Sequence, residues 1–389
     1  MYRVYYAERD TTLYERHPEQ NTGIDQILDL EKIASSSRMS GVIQKHTTNT
    51  RILLDFGSEI NRLKQSIADG EIPALSNQNI TSASVFLSLK TTDANDLLTT
   101  YSIEAYPISE SWDNGNGRFD NTPKTKIGSS WFNRSGDAVA QTGIAWNIAD
   151  AASSGSSIGV KEKLGGGTWI TGSGYEASQS FQNESPDVRM DVTDIVKKWT
   201  DETITNNGFI VKRPYADEID GEVRGSIKFF GRESHTIFVP RLEVCWDDSS
   251  RPNSGSAVTS SLFVPYFKNI KAEYRPHEIA RFRIGCRPEF PSRTYQTTSF
   301  YITNNLLPLS SSYQIYDEIT NDIIIKDDSI GSGKTWNDSK TKISTDSDGS
   351  YFDIRMDSFM PERYYKIKLT CRRANDIQTF DDYYFKVVR

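Results

Sequence analysis

Apolar residues come in short runs along this chain, and most of the runs alternate with polar ones. In SVFLSLK (84–90), Val85, Leu87 and Leu89 are interleaved with Phe86, Ser88 and Lys90, the period of a strand. Runs of similar size lie at 100–108 (TYSIEAYPI), 207–214 (NGFIVKRP), 226–233 (SIKFFGRE) and 238–246 (FVPRLEVCW). Each is bounded by Gly, Pro, Asn or Asp, residues that favour turns or lack a ladder donor. The texture resumes after 258, with SLFVPYF (261–267), IARFRIGC (279–286), TTSFYIT (297–303), SYQIYDE (312–318) and DIIIKD (322–327). SYFDIRM (350–356), YYKIKLTC (364–371) and DYYFKVVR (382–389) complete the series. Strands that follow one another without intervening helices predict antiparallel sandwiches or a jelly roll.

Two segments have helical period instead. In DVTDIVKKWT (191–200), Val192, Ile195, Val196 and Trp199 share one face, Asp191 can cap, and Asp194 suits the first turn. In SEINRLKQSIA (58–68), Ile60, Leu63 and Ile67 do the same. The stretch 247–258, DDSSRPNSGSAV, has no period before Val258 and reads as a break. The expected domains are therefore 1–247 and 258–389, with a linker at 248–257. Seven or eight strands in the second part fit a small immunoglobulin-like β-sandwich. Segments 31–50 and 113–142 read as long polar inserts.

The order of motifs in the first part resembles the DNRLRE domain family. AERDTTLYE, NTGIDQILDL and RILLDFG are similar to its opening, and ISESWDNGNG and GIAWN (143–147) to its Trp-containing elements. DVTDIVKKWTDETITNNGFIVK, a helix ending in Trp followed by Asn-Gly-Phe, is the most specific piece, and the match spans roughly residues 5–247. The resemblance implies a jelly-roll β-sandwich of a kind found on surface proteins, as glycan-binding modules, and in phage structural proteins. The stretch from GIAW to GGGTW (143–169) looks most like the versions in tail and neck proteins of large tailed phages. The expected fold is thus all-β, a jelly-roll sandwich followed by an immunoglobulin-like one.

Composition narrows the function classes. Lys plus Arg is 45 against 52 for Asp plus Glu, a net charge of −7, which argues against nonspecific nucleic-acid or anionic-membrane binding. No run reaches the ~20 apolar residues of a membrane-spanning helix, and MYRVYYAERDTT lacks the layout of a secretory signal. Cys245, Cys286 and Cys371 do not suggest a disulfide framework or a zinc site; Cys245 is expected to be a buried thiol.

Several local patterns invite chemistry. Asp113, Asn114, Asn116 and Asp120 supply closely spaced oxygens, as a calcium loop does, but Gly115 breaks the usual ligand spacing and turn chemistry explains the loop better. Asp346, Asp348 and Gly349 read as a hairpin turn. Gly165, Gly166 and Gly167 lack the Lys-Ser/Thr and helix of a phosphate loop, and GSGKTW (331–336) has Asp328 where such a loop needs Gly. His17, His46, His235 and His277 stand in separate segments, without a nucleophile in a recognisable setting. Trp112, Trp131, Trp146, Trp169, Tyr175 and Phe181 could form a sugar-stacking platform, although core or interface positions account for them better.

These readings lead to a non-enzymatic structural component of a tailed-phage virion, in neck, tail or baseplate, made in the host cytoplasm. It would act through interfaces with other virion proteins and copies of itself under particle symmetry, without cofactor, catalytic residue or metal ligand. The alternative is a carbohydrate-binding adhesin or module contacting a host surface glycan.

Overall fold

The computed structural model describes the chain except residues 40–41, 139, 141, 148–164, 253–255, 291–304, 330–332 and 374–375, and side chains except also those of 35–45. Strand accounts for 44% of residues and helix for 10%, so the chain is an all-β protein. The first strands are β1 (Tyr2–Tyr6), β2 (Arg9–Tyr14), β3 (Ile27–Met39), β4 (Val42–Asp55), β5 (Ser84–Leu89), β6 (Thr91–Asn95) and β7 (Thr100–Pro107). Next come β8 (Asn133–Ser135), β9 (Ile144–Ala145), β10 (Ala177–Gln182), β11 (Val188–Asp191), β12 (Phe209–Lys212), β13 (Gly225–Phe230) and β14 (Arg241–Cys245). The rest are β15 (Phe263–Phe267), β16 (Glu273–Tyr274), β17 (Ile279–Pro288), β18 (Ser310–Asp317), β19 (Ile323–Ile325), β20 (Ser344–Asp346), β21 (Gly349–Arg355), β22 (Arg363–Arg373) and β23 (Asp376–Val387). Helices are α1 (Gly57–Ala68), α2 (Thr193–Thr200) and α3 (Tyr215–Ile219), none long and apolar enough to cross a membrane.

Two compact units divide the backbone: Val4–Ser76 with Ser84–Glu243, and Met1–Arg3 with Asn77–Ala83 and Val244–Arg389. Part of the segment expected as linker is bonded within the second unit. The Ser250 N–H donates to Ser344 Oγ at 3.1 Å, and the Ser250 carbonyl accepts from the Thr345 N–H at 2.9 Å. Its Ser- and Asp-rich composition thus belongs to a segment bonded along β20.

In the first unit one sheet has the order β1-β14-β5-β11 and the other β10-β7-β12-β4-β3-β13-β6, with β2 also paired to β4. The central strands of the larger sheet are covered on both faces. In β4, residues 50–55 are all buried, as are all four of β12, which is why both read as unbroken apolar runs, ILL and FIV. On one face Leu54 pairs with Phe209, which meets Phe56 and Trp199 at 6.0 and 4.5 Å between ring centres. On the other, Leu13, Leu53, Ile210 and Tyr106 lie against four indoles.

Both expected helices form. Helix α2 begins at Thr193, whose N–H and hydroxyl both donate to Asp191 Oδ1, and it buries Ile195, Val196 and Trp199. Helix α1 buries Ile60 and Leu63. The polar insert at 31–50 forms the far part of β3 and β4, paired in register from Lys32↔Asn49 to Met39↔Val42. Ser, Thr, Lys and Gln there give no apolar alternation, so the strands escape a periodicity search.

The second unit has one sheet in the order β15-β17-β21-β20 and another in the order β16-β23-β22-β18-β19. Lettered along the chain, these are A-B-E-D and A′-G-F-C-C′, the immunoglobulin-type arrangement. Tyr313 of β18 stacks on Phe352 of β21 at 4.1 Å, and Phe282 of β17 meets Phe385 of β23 at 5.5 Å, so the two sheets share one aromatic core. Tyr365, near the start of the F strand, donates from its hydroxyl to the Met360 carbonyl at 2.8 Å, a tyrosine corner. Cys286 on the B strand and Cys371 on the F strand are both buried free thiols; burial, then the neighbouring Cys371, pushes Cys286 up to about 12. Cys245 is also buried and free. The run TTSFYIT (297–303) lies outside the described residues.

Candidate functional site

The indoles that could have been a sugar platform form a buried layer. Trp112, Trp131, Trp146 and Trp169 are each under 5% exposed and roof the outer face of β2, β4, β12 and β7. Their loops hold them by backbone bonds: Trp112 Nε1 donates to the Asn207 carbonyl at 2.9 Å and Trp146 Nε1 to the Ser130 carbonyl at 3.0 Å. Phe181 is buried as well, stacked on Tyr101 at 4.8 Å, while Tyr175 lies half-buried under Lys198 Nζ. A core role fits all four tryptophans.

At one end of this layer the apolar side chains give way to ions. Arg51, next but one to Leu53 on the same face of β4, lies with its guanidinium 4.9 Å from the ring centres of both Trp131 and Trp169. Its Nε and Nη2 donate to the two oxygens of Glu218 at 3.0 and 2.9 Å, and its Nη1 to the Gly166 carbonyl at 2.8 Å. Lys212, which follows Ile210 on the same face of β12, places Nζ 3.3 Å from Glu218 Oε2. Burial alone would raise the Glu218 carboxyl, but Arg51 and then Lys212 hold it below its ordinary value. Burial lowers Lys212, against the pull of Glu218. Two cations and one anion bound in this way form a structural plug, with every functional atom of Glu218 engaged.

The Gly165–Gly167 run serves this plug. Gly166 (φ +80°) passes so close to Arg51 and Trp131 that a Cβ would lie 2.6 Å from Arg51 Nη1 and 2.8 Å from the indole. It is a close backbone approach. In the motif at 331–336, residues 331–332 lie outside the described residues.

The Asp- and Asn-rich loop is organised by Asn21, which is fully buried. Its amide nitrogen donates to the carbonyls of Asn114 and Ser129, both at 2.7 Å, and its oxygen accepts from Gly23 and Gly117 at 3.1 and 2.8 Å. These four bonds use the whole capacity of the side chain. Of the loop's own oxygens, Asp113 Oδ1 accepts from the Gly115 N–H at 3.4 Å, and Asn114 turns its amide to the Gly23 carbonyl. Asn116 and Asp120 are exposed. In the β20–β21 hairpin, Asp346 accepts from Arg283 Nη1 and Nη2 at 3.0 Å each, so its carboxylate is committed to a cross-strand pair. Among the described residues no three His, Cys, Asp or Glu side chains gather as a metal would need. His17 packs on Phe119 at 5.7 Å, and burial, then Arg16 and Lys124, lowers its pKa.

A cavity of ≈ 260 Å³ opens at α1 and α2, floored by Ile67, Ala68, Ala74 and Leu75 and edged by Lys64, Lys197 and Asp201. Lys64 is paired with Glu202. The larger unpartnered feature is the β3–β4 ribbon. Up to Lys32 and from Thr50 onward its strands are built into the sheet through β13 and β2. From Ile33 and Thr48 outward, among the described residues, they pair only with each other. An isolated two-stranded ribbon is marginal in water, so this arm offers backbone edges to a neighbour.

Sequence reasoning did not find Asn21 as a hub, the Arg51–Glu218–Lys212 plug, or the arm. The only available signal for the plug was a charged residue at one end of each of two unbroken apolar runs. No family model matches this chain, and no curated protein matches it.

Proposed function

We propose that this chain is a non-enzymatic structural component of a tailed-phage virion, in neck, tail or baseplate, and that it works through protein–protein interfaces. The observation that carries the interface reading is the β3–β4 arm, a ribbon that continues beyond its sheet and whose strands, among the described residues, pair there only with each other. Open edges are sites for strand addition by another chain. The sandwich below it is braced by the indole layer and the ionic plug, so the arm stands on a rigid base. The virion assignment rests on the ordered resemblance to the phage versions of the DNRLRE family. The partners are then other virion structural proteins and further copies of this chain.

Mass spectrometry of purified particles from the source culture tests the reading. The chain is expected at a fixed ratio to the tail or neck proteins, and its absence from washed particles would overturn the proposal. A chain in which 34–47 is replaced by a two-residue turn should fold normally yet fail to enter particles.

A further inference from the structure

The outer face of the A′-G-F-C-C′ sheet in the second unit carries an arrangement that the core does not require. Tyr313, Ile315, Tyr365, Ile367 and Phe385 are buried, so alternation turns Tyr316, Tyr364, Lys366, Lys368, Tyr384 and Lys386 outward. Register places Tyr316 opposite Lys366, and Lys366 opposite Tyr384, in one row across β18, β22 and β23. Ile323 of β19 continues the row beside Tyr316. Lys366 and Lys368 approach the Tyr316 ring at 5.8 and 5.9 Å from its centre. Neither has a salt-bridge partner among the described residues, whereas Lys386 is paired with Glu362 at 2.7 Å. Tyr364 and Tyr384 are 53% and 46% exposed, values that burial in a monomer's core would not leave.

We propose that this face is a binding site for an acidic polysaccharide, with Tyr316 and Tyr384 stacking on alternate sugar rings and Lys366 meeting the carboxylate of the ring between them. Three observations support this choice of occupant. The two tyrosines are separated by two inter-strand spacings, about 9.5 Å, close to the length of a disaccharide in an extended β-linked chain. The cation stands between them on the same row. The surface is an open sheet face with one large aliphatic side chain in the row, suited to the flat side of a sugar chain. Burial and then the Asp381 charge raise the Tyr316 phenol, so one carboxylate acts on that end of the row. The site goes beyond the structural role above, which needs no sugar; a particle protein without it remains a particle protein.

The test uses the full chain in affinity electrophoresis through gels containing polygalacturonate or hyaluronate, with dextran as the neutral comparison and a single-stranded oligonucleotide as a second polyanion. Retardation by at least one of the acidic polysaccharides, and not by dextran, is expected, weakening as salt is raised. Tyr316→Ala, Tyr384→Ala and Lys366→Glu should each weaken it by about tenfold, and Lys366→Arg should keep most of it. All three positions lie on the surface, so a thermal transition matching the wild type shows that each of the four variants is folded. Four results would overturn the proposal: no retardation by either acidic polysaccharide, equal retardation by dextran, retardation by the oligonucleotide alone, or binding that the three variants leave unchanged. Self-association that the same variants abolish would also overturn it, by assigning the face to a second copy. Failure here leaves the particle assignment to the mass-spectrometric result, and the reverse holds as well.

Discussion

Trp199 closes the apolar face of α2 against Phe209, and it is 4% exposed. Replacing it by Ala should cost about 3–5 kcal/mol, the usual range for emptying a buried aromatic site; urea denaturation measures it, and an unchanged midpoint would mean that this helix face is not holding the fold. Arg51 makes a sharper case. Arg51→Ala leaves Glu218 buried beside Lys212 alone, and loss of one partner of a buried pair costs about 3–5 kcal/mol. Arg51→Met with Glu218→Leu should cost less than Arg51→Ala, because no uncompensated carboxylate remains. Asp10 gives a pH signature. Burial pushes its carboxyl up to about 7, against the Arg232 N–H that it accepts at 2.6 Å. The unfolded chain releases that proton near 3.8, so between the two values the folded state holds more protons and stability falls as pH rises, levelling above 7. At 1.36 kcal/mol per unit the window holds up to about 4 kcal/mol. Denaturation at pH 4.5 and pH 8 should show this loss in the wild type and not in Asp10→Asn.

Elements differ in how far the sequence disclosed them. Strands with one buried face, such as β13 and β22, were legible because alternation and burial are the same fact seen twice. β12 and the inner part of β4 were legible as strands, but their second covered face was not, since a continuous apolar run does not say what lies on each side. The outer part of β3 and β4 was read as a polar insert because its sequence shows no regular alternation, and α3 was invisible because five residues show no helical period. Tyr365 illustrates the limit of reading one position at a time: its hydroxyl matters through a carbonyl five residues back. Tyr365→Phe should cost about 1 kcal/mol, the net worth of one such bond, with the ring contacts to Phe359 and Phe385 retained. Shortening the β3–β4 arm should leave the melting temperature within a degree or so of the wild type, because an unsupported ribbon contributes little to the fold below it. A large fall would show that the arm packs on its own unit.

For the whole molecule, the candidate chemistry of the sequence and the roles found in the structure divide cleanly by burial. The tryptophans that invited a sugar platform are core, and the exposed aromatic row lies instead in the second unit, in strands that had been read only for their buried face. Asn21 and Arg51 stand inside motifs that carry the family resemblance, yet nothing in their neighbours along the chain shows that each ties together segments about a hundred residues apart.

The plug also settles an ambiguity that the double-sided sheet creates. Where Leu53 and Leu54, or Phe209 and Ile210, are apolar in succession, sliding a strand by one position exchanges one greasy side chain for another and costs little by itself. Arg51 and Lys212 remove that freedom. A one-residue slip of β4 or β12 would turn a cation away from Glu218 and into hydrocarbon, so the charges index the alignment of strands that hydrophobicity alone leaves free to shift.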